Sequence, residues 1–449
     1  MQNPMQLPAE AEKIINALEN AGYKAYLVGG CVRDYLLGKS VSDTDITTSA
    51  RPNEVESVLA KLNIKVVETG IQHGTVTAVL DKTPYEITTF RSDGEYKDSR
   101  HPQNVEFLAD IEGDLKRRDF TVNAMAYNEQ DGLIDLFGGR QDLQNKLIRA
   151  VGDADARFKE DALRIMRALR FSSTLGFAIE ERTKKAVFDH MQLLNNISPE
   201  RIFSELLKLL CGDNVLNVLA EYRQVIGVII PRMKPCFDCA QHNPWHCYDV
   251  YGHIIHAVAA APKDPVIRLT MLLHDIGKPL VKRTDEKGLD HFKTHAEVGA
   301  GIAVEVLASF KASNEISNKV TTLVKYHQAF ENVYDIRIKH WLGKIGPEYT
   351  LSLFDVRMAD LAAHNPNKEE VKLEALRLKA LKQEAQQIIA CGEPYRVTDL
   401  AVNGNDLIKL GYSGKEIGET LNKLLSLVID GALQNTREEL MRFIQNNRI

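Results

Sequence analysis

Apolar and polar positions follow two different rhythms along this chain, and the change comes near residue 150. A polar-faced helix is predicted over Ala9 to Asn20, leading through Gly22 into a short strand at Tyr26-Leu27-Val28. Three β-branched runs follow, separated by turn residues: Ile64–Val67, Thr75–Leu80 and Tyr85–Phe90. After about residue 150 apolar residues recur at three- and four-residue spacing, as in Asp161–Phe171 and Ile202–Cys211. Breakers cluster at Pro231, Pro235 and Pro244, at Pro262 and Pro265, and at Gly392-Glu393-Pro394. No repeat of 20–50 residues and no low-complexity tract interrupts the pattern. The predicted plan is α+β: a head over 1–150, an all-α connector over 151–230, a His-rich helical domain over 240–365 and a helical tail over 366–449.

Composition narrows the class. A length of 449 residues gives room for about three domains. At 44% hydrophobic and 26% charged residues the chain reads as globular. No apolar run approaches the ~18 residues of a membrane helix, and the N-terminus lacks a signal-peptide core. Six cysteines are too few for a disulfide framework, so a cytoplasmic home is expected. The net charge of -5 argues against a protein coated in nucleic acid but leaves room for a local basic groove.

Candidate chemistry begins at Leu27-Val28-Gly29-Gly30-Cys31-Val32-Arg33-Asp34, a strand, two glycines and a helix start. Such a turn lets backbone N–H groups close on phosphate oxygens, and Arg33 adds charge; a plain strand-to-helix turn has the same wording. Ser42-Asp43-Thr44-Asp45-Ile46 places two carboxylates two residues apart, on one face of a strand. Side by side they repel unless a cation sits between them, and Mg²⁺ takes such oxygen ligands together with substrate phosphates. Glu86 on a later strand is a candidate third acid, giving a two-metal phosphoryl-transfer site, with a solvent-facing strand position as its bland alternative.

Seven segments then occur in order: GGCVRD, SDTDITTSA, YEITTFRSDGEYKDSRHP, RRDFTVNAMAYN, DLFGGRQDL, EDALRIMRALRF and SPERIFSELLKLL. Over residues of about 24–211 the chain resembles the bacterial-type (class II) CCA-adding tRNA nucleotidyltransferases, whose close relatives are bacterial poly(A) polymerases. The resemblance implies a DNA-polymerase-β-like head with Asp43 and Asp45 as Mg²⁺ ligands. It puts Gly30 and Arg33 at the triphosphate, Arg118 at the nucleotide, and a flexible loop at Asp93-Gly94-Glu95-Tyr96 that helps the change from C to A addition. Its implied partners are tRNA, CTP and ATP.

The segment Glu160–Phe171 reads as one amphipathic helix, with Leu163, Met166 and Leu169 on one side and Asp161, Arg164, Arg167 and Arg170 on the other. A three-residue stripe drifts about 60° per step, so two jobs are expected. Asp161 and Arg164 would read a base edge, and Arg167 and Arg170 would reach phosphate or sugar. A carboxylate accepts from the exocyclic amine of cytosine or adenine, and an arginine donates to the ring acceptor beside it. Guanine and uracil present an acceptor to Asp161 and are rejected. Spacing alone favours a solvated face of i,i+3 ion pairs; the resemblance reverses that preference by assigning base reading to the matching Asp and Arg.

Farther along, His253, His274-Asp275 and Asp360 follow the H…HD…D pattern of the HD phosphohydrolase superfamily. Adjacent His274 and Asp275 converge on one ion only where a helix ends or bends, and Gly277 and Pro279 supply that break. Two imidazoles and two carboxylates suit a divalent transition metal (Ni, Mn, Co or Fe). His295 and His327 are candidates for a second metal, and Asp355 is a rival to Asp360 on the expected helix Leu353–Ala363. Family members with such a domain are associated with phosphatase and 2′,3′-cyclic phosphodiesterase activity. Cys236, Cys239, His242, His246 and Cys247 have the ligand types of a zinc site, but the Pro-rich setting reads better as reduced cysteines in a loop. Rival readings are a poly(A) polymerase, an enzyme adding only CC or only A, a phosphodiesterase with a nucleotide-sensing head, and a non-catalytic tRNA-binding module. The sequence assigns no oligomeric state.

Overall fold

The computed structural model describes residues 8–41, 44–71, 74–93, 105–330 and 338–447. The chain divides into two compact units, Met1–Pro231 and Arg232–Ile449.

The first unit opens with helix α1 (Ala9–Asn20), whose buried Ala11, Ile14, Ile15 and Leu18 fall at helical spacing. The β-rich part is one seven-stranded mixed sheet. Its strands are β1 (Ala25–Val28), β2 (Asp45–Thr48), β3 (Lys65–Gly70), β4 (Thr75–Leu80), β5 (Thr83–Thr89), β8 (Ala126–Asn128) and β9 (Gly132–Ile134), in the order β3-β4-β5-β2-β1-β8-β9. A small antiparallel ribbon, β6 (Arg91–Asp93) with β7 (Val105–Phe107), stands apart. Strands β2 and β5 are parallel, and their register pairs Asp45 with Glu86. Tyr85, Ile87 and Thr89 of β5 are buried while Glu86 is exposed, the period-2 alternation of a half-buried strand. Tyr26, Val28, Phe90, Leu115 and Ala126 form a core beneath the sheet.

Helices α2 (Gly30–Leu36) and α3 (Pro52–Ala60) follow β1 and β2, and α4 (Ile111–Lys116) and α5 (Gly139–Asn145) flank β8 and β9. The rest of the unit is helical: α6 (Ala154–Glu160), α7 (Leu163–Leu175), α8 (Glu181–His190), α9 (Pro199–Leu210), α10 (Val215–Glu221) and α11 (Arg223–Ile229). Gly176 ends α7 in the left-handed conformation at φ 72°, which a residue with a Cβ adopts only with strain. Helix α9 starts on Ser198-Pro199, with proline where no intrahelical N–H is needed.

The expectation of one helix from Glu160 to Phe171 is corrected here. Helix α6 stops at Glu160, Asp161 adopts φ -137°, ψ 101°, and α7 begins at Leu163. The Asp161 carboxylate (Oδ1) accepts from the Leu163 backbone N–H at 3.0 Å, the local bond with which Asp competes against continuous helix.

The second unit is nearly all helix among its described residues. Helices α12 (Val250–Ala260), α13 (Pro265–Leu273), α14 (Lys278–Val281), α15 (His295–Ser309), α16 (Asn314–Tyr326), α17 (Ile338–Ile345), α18 (Pro347–Ala362) and α19 (Glu369–Ala390) form its larger part. Asp249 caps α12 through the Gly252 N–H, and Asp264 caps α13 through Val266 and Ile267. Three further helices, α20 (Gly404–Lys409), α21 (Lys415–Ile429) and α22 (Arg437–Asn446), close on a core that includes Leu407, Leu424 and Leu440.

Candidate nucleotide site and buried histidine cluster

The turn from β1 into α2 depends on Gly29, whose φ is 82°. The positive φ favours glycine, and a Cβ there would meet the Arg118 guanidinium (Nη1) at 3.0 Å and press it back by a few tenths of an ångström. Arg118 is held by Asp114, a wholly buried carboxylate that also takes two bonds from Arg117. Burial alone would raise the Asp114 carboxyl, but the two guanidiniums hold it below its ordinary value. The Arg118 Nε is buried without a hydrogen-bond partner.

This turn opens into a cavity of about 540 Å³. Gly30, Arg33, Asp45, Arg118, Asp161, Arg164, Arg167 and Arg170 all line it. Seven arginines and four aspartates face it, a surplus of positive charge that suits a polyanion. Glu86 does not line the cavity; as the register partner of Asp45 it points from the same face of the sheet. Asp43 lies outside the described residues, as do Gly94, Glu95 and Tyr96 of the expected flexible loop.

Arg164 and Asp161 do not pair with each other through their side chains in this arrangement. Arg164 donates to Glu160 at 2.7 Å and to the carbonyls of Arg157 and Arg117 at 3.1 and 2.9 Å. That uses three of its five N–H groups. Asp161 accepts from Arg201 on α9 at 3.0 Å, and each of its oxygens keeps a lone pair. Both groups are therefore anchored and still able to bond a ligand.

Along the cavity wall a charged chain joins α2 to α9. Arg33 donates to Asn123 at 2.7 Å, Asn123 to Asp119 at 3.2 Å, and Arg167 to Asp119 at 2.7 Å. Arg170 lies 3.0 Å from Glu205. Burial would raise the Asp119 carboxyl, but Arg167 holds it down at about 2. Burial lowers Arg170, and the nearby Arg167 and Arg33 charges add to that effect.

The second unit holds six ionisable side chains in one buried cluster, none more than 5% exposed. His253 projects from α12, His274 and Asp275 follow the end of α13, His295 opens α15, His327 follows α16, and Asp360 lies on α18. Two overlapping groups, His253–His274–Asp275 and Asp275–His295–His327, each have their ligand atoms within 4.8 Å of one another. Asp360 joins the first through His253 at 2.9 Å. Each histidine directs Nδ1 at a backbone carbonyl: Ala363, Met271, Phe292 and Val324 in turn. A carbonyl only accepts, so Nδ1 carries the proton and Nε2 of a neutral ring presents a lone pair. Those Nε2 atoms face one another at 3.3 Å (His253–His274) and 3.1 Å (His295–His327). Lone pairs so close call for a cation between them, and outer carbonyls orienting inner imidazoles are the usual support of metal ligands. Burial alone would lower His274, but Asp275 and Asp360 push it up to about 10; with protons alone it supplies the positive charge the carboxylates demand.

Asp355 is on the other side of α18, paired with Lys382 at 2.5 Å, whereas Asp360 lies against His253. The cysteines gather no such group among the described residues: Cys236 is buried near the Ile276 carbonyl, and His242 bonds Asp290 at 3.0 Å.

Family models match in three places: a poly A polymerase head domain over 25–149, a probable RNA- and SrmB-binding site of polymerase A over 176–225, and a putative tRNA nucleotidyltransferase domain 2 over 291–444. A CCA-adding enzyme of Lactobacillus delbrueckii subsp. bulgaricus is 34% identical over 443 residues, covering 97% of each chain. The chain belongs to the CCA-adding enzyme family. Another member, from Geobacillus thermodenitrificans, is 50% identical over 224 residues, 49% of this chain and 54% of that one. The crystal structure of the Bacillus stearothermophilus CCA-adding enzyme in complex with CTP superposes with a TM-score of 0.75 at 29% identity, covering 99% and 98% of the two chains.

Several residues that build this family member's cavity escaped the sequence reading: Asp119, Asn123, Phe171 and Arg201 line it, and Asp114 and Glu205 hold arginines that do. Glu205 carried a signal, since it shares the buried face of α9 with Ile202, Leu206 and Leu209. A carboxylate on an apolar face needs a cation, and Arg170 is that cation. Asp114 and Asp119 carried none, because their partners are set by the fold.

Proposed function

We propose that this chain adds CCA to the 3′ end of tRNA from CTP and ATP, without a nucleic-acid template. The observation that carries the reading is the single cavity lined by a glycine turn, Asp45, Arg118 and the four charged residues from Asp161 to Arg170. The tRNA 3′ hydroxyl attacks the α-phosphate and pyrophosphate leaves. Asp45, with Asp43 and Glu86, would hold Mg²⁺; side-by-side carboxylates on parallel strands fit a divalent ion. When bound, that ion would offset the negative charge of the phosphates and lower the pKa of the 3′ hydroxyl, whose proton is lost to water as the oxygen attacks. Arg33, Arg167 and Arg170 bind the triphosphate and orient it for in-line attack. Asp161 accepts from the exocyclic amine of C or A, and Arg164 donates to the neighbouring ring nitrogen. Because both are already fixed by Arg201, Glu160 and backbone groups, selection costs little reorganisation.

Extension of tRNAs ending before CCA, after C and after CC, with each nucleotide alone and mixed, tests this reading. Products that stop at CCA without G or U are expected. Long A tails would make the chain a poly(A) polymerase, and a halt at CC would make it a partial enzyme.

A second reading is favoured by the buried cluster. The second unit would be an HD domain in which His253, His274, Asp275 and Asp360 hold a divalent transition metal, with His295 and His327 completing a second position across Asp275. Such ions supply an activated water for phosphoester hydrolysis. Lys278, 2.7 Å from Asp275, and Arg357, 2.6 Å from Asp360, would neutralise the phosphate. Metal content of the purified protein, and hydrolysis of a 2′,3′-cyclic phosphate, test this domain; a protein free of metal after purification and reconstitution would contradict it.

A further inference from the structure

Phe171, the last residue of EDALRIMRALRF, lines the nucleotide cavity and is 7% exposed. Its ring packs edge-on against the buried Phe120, with centroids 5.9 Å apart and an 82° tilt. Three guanidinium carbons surround it: Arg170 at 4.1 Å from the centroid, Arg33 at 5.3 Å and Arg167 at 5.4 Å. Arg33 comes from α2, whereas Arg167 and Arg170 come from α7. Arg167 and Arg170 share Glu205, at 4.0 and 3.0 Å, whereas the carboxylate partner of Arg33 is its own neighbour Asp34, so ion pairing does not explain why Arg33 joins the other two cations.

The ring does. Its electron-rich face attracts cations without neutralising them, which a carboxylate at the same place would do. Three like charges held together bind a polyphosphate better than three dispersed ones, because each phosphate oxygen meets a donor already in position.

We infer that Phe171 is a positioning residue for the triphosphate: it gathers Arg33, Arg167 and Arg170 into one clamp whose strength is independent of the base. The inference rests on the reading of this cavity as a nucleotide site. It separates two duties within one motif, with Asp161 and Arg164 choosing the base and the far end of the motif gripping the phosphates.

The test compares full-length wild type with Phe171→Leu, which keeps an apolar side chain against Phe120, and Phe171→Tyr, which keeps the ring. Steady-state addition of C and of A to tRNA acceptors, and inhibition by pyrophosphate, are the readouts. Phe171→Leu should raise KM for CTP and ATP by the same factor, about tenfold, and weaken pyrophosphate inhibition by a similar factor. Its kcat should stay within about twofold of wild type, with rejection of UTP and GTP unchanged. Phe171→Tyr should restore the wild-type values. A fall in kcat at constant KM, a change in base selectivity, or a Tyr variant as impaired as Leu would overturn the role of the ring. An inactive wild type would instead overturn the nucleotide reading itself. If the Leu variant does not fold, the Tyr variant at wild-type KM beside a folded Phe171→Met with raised KM supports the same role for the ring, and equal KM values for the two would overturn it.

Discussion

Asp161 bears two loads at once. One oxygen ends a helix boundary by capping Leu163, the other is tied to Arg201, and the residue lines the cavity. Replacing Asp161 by Asn puts an amide donor beside the amine of C or A. We expect kcat/KM for CTP and ATP to fall by about 10–100-fold, as for loss of a bidentate base contact, with UTP and GTP losing far less. Rates with the four nucleotides on one tRNA acceptor measure this directly. Asp119 makes a different prediction. Its carboxyl is held at about 2, below the unfolded value of 3.8, so its stabilisation is complete above that unfolded value and is lost as pH falls toward 2. Asp119→Asn should cost about 2 kcal/mol near pH 7. Denaturant unfolding of the two proteins should converge as pH drops below 4; a constant difference down to pH 3 would show that the Asp119 charge is not the cause.

At the level of elements, the β1–α2 turn and the α6–α7 break are the two places where the chain departs from regular structure to build the cavity. Gly29→Ala combines left-handed strain with a Cβ 3.0 Å from the Arg118 guanidinium. A loss of about 1–2 kcal/mol in stability is expected, together with a raised KM for both nucleotides, because Arg118 must withdraw. Thermal unfolding and nucleotide titration separate the two effects. Legibility differed between these two places. A glycine pair between an apolar strand and a helix announces its turn, whereas the helix break at Asp161 is hidden in a continuous amphipathic pattern. Periodicity registers which face is apolar, and it does not register that a side-chain oxygen has captured one backbone N–H. The same limit explains Asp119, whose meeting with Arg167 forty-eight residues away follows from sheet and helix packing. By contrast, Glu86 on a further strand and the grouping of His253, His274, Asp275 and Asp360 are legible from motif and ligand type, while the register that sets Glu86 beside Asp45 and the choice of Asp360 over Asp355 come only with the fold.

For the molecule as a whole, the nucleotide cavity and the buried histidine cluster lie in separate units, and the two proposed activities are tested separately through their ligands. His274→Ala should abolish tight binding of a divalent transition metal, measured by elemental analysis after dialysis, while Asp355→Asn, which disturbs only the Lys382 pair, should leave it intact. Equal metal loss in both variants would contradict the assignment of Asp360. Among the described residues no helix is long and apolar enough to cross a membrane, and the net charge of -5 confines attraction for nucleic acid to local basic surface. Binding of tRNA should therefore weaken as salt rises from about 50 to about 200 mM, with a slope set by a limited number of phosphate contacts.

The most direct measurement remains nucleotide addition to a tRNA that lacks its CCA end, with CTP and ATP together and the products sequenced. Addition of C, C and A followed by arrest, without G or U, is the predicted result. Untemplated runs of A, arrest after CC, or incorporation of U at the rate of C would contradict the account in which Asp161 and Arg164 choose the base.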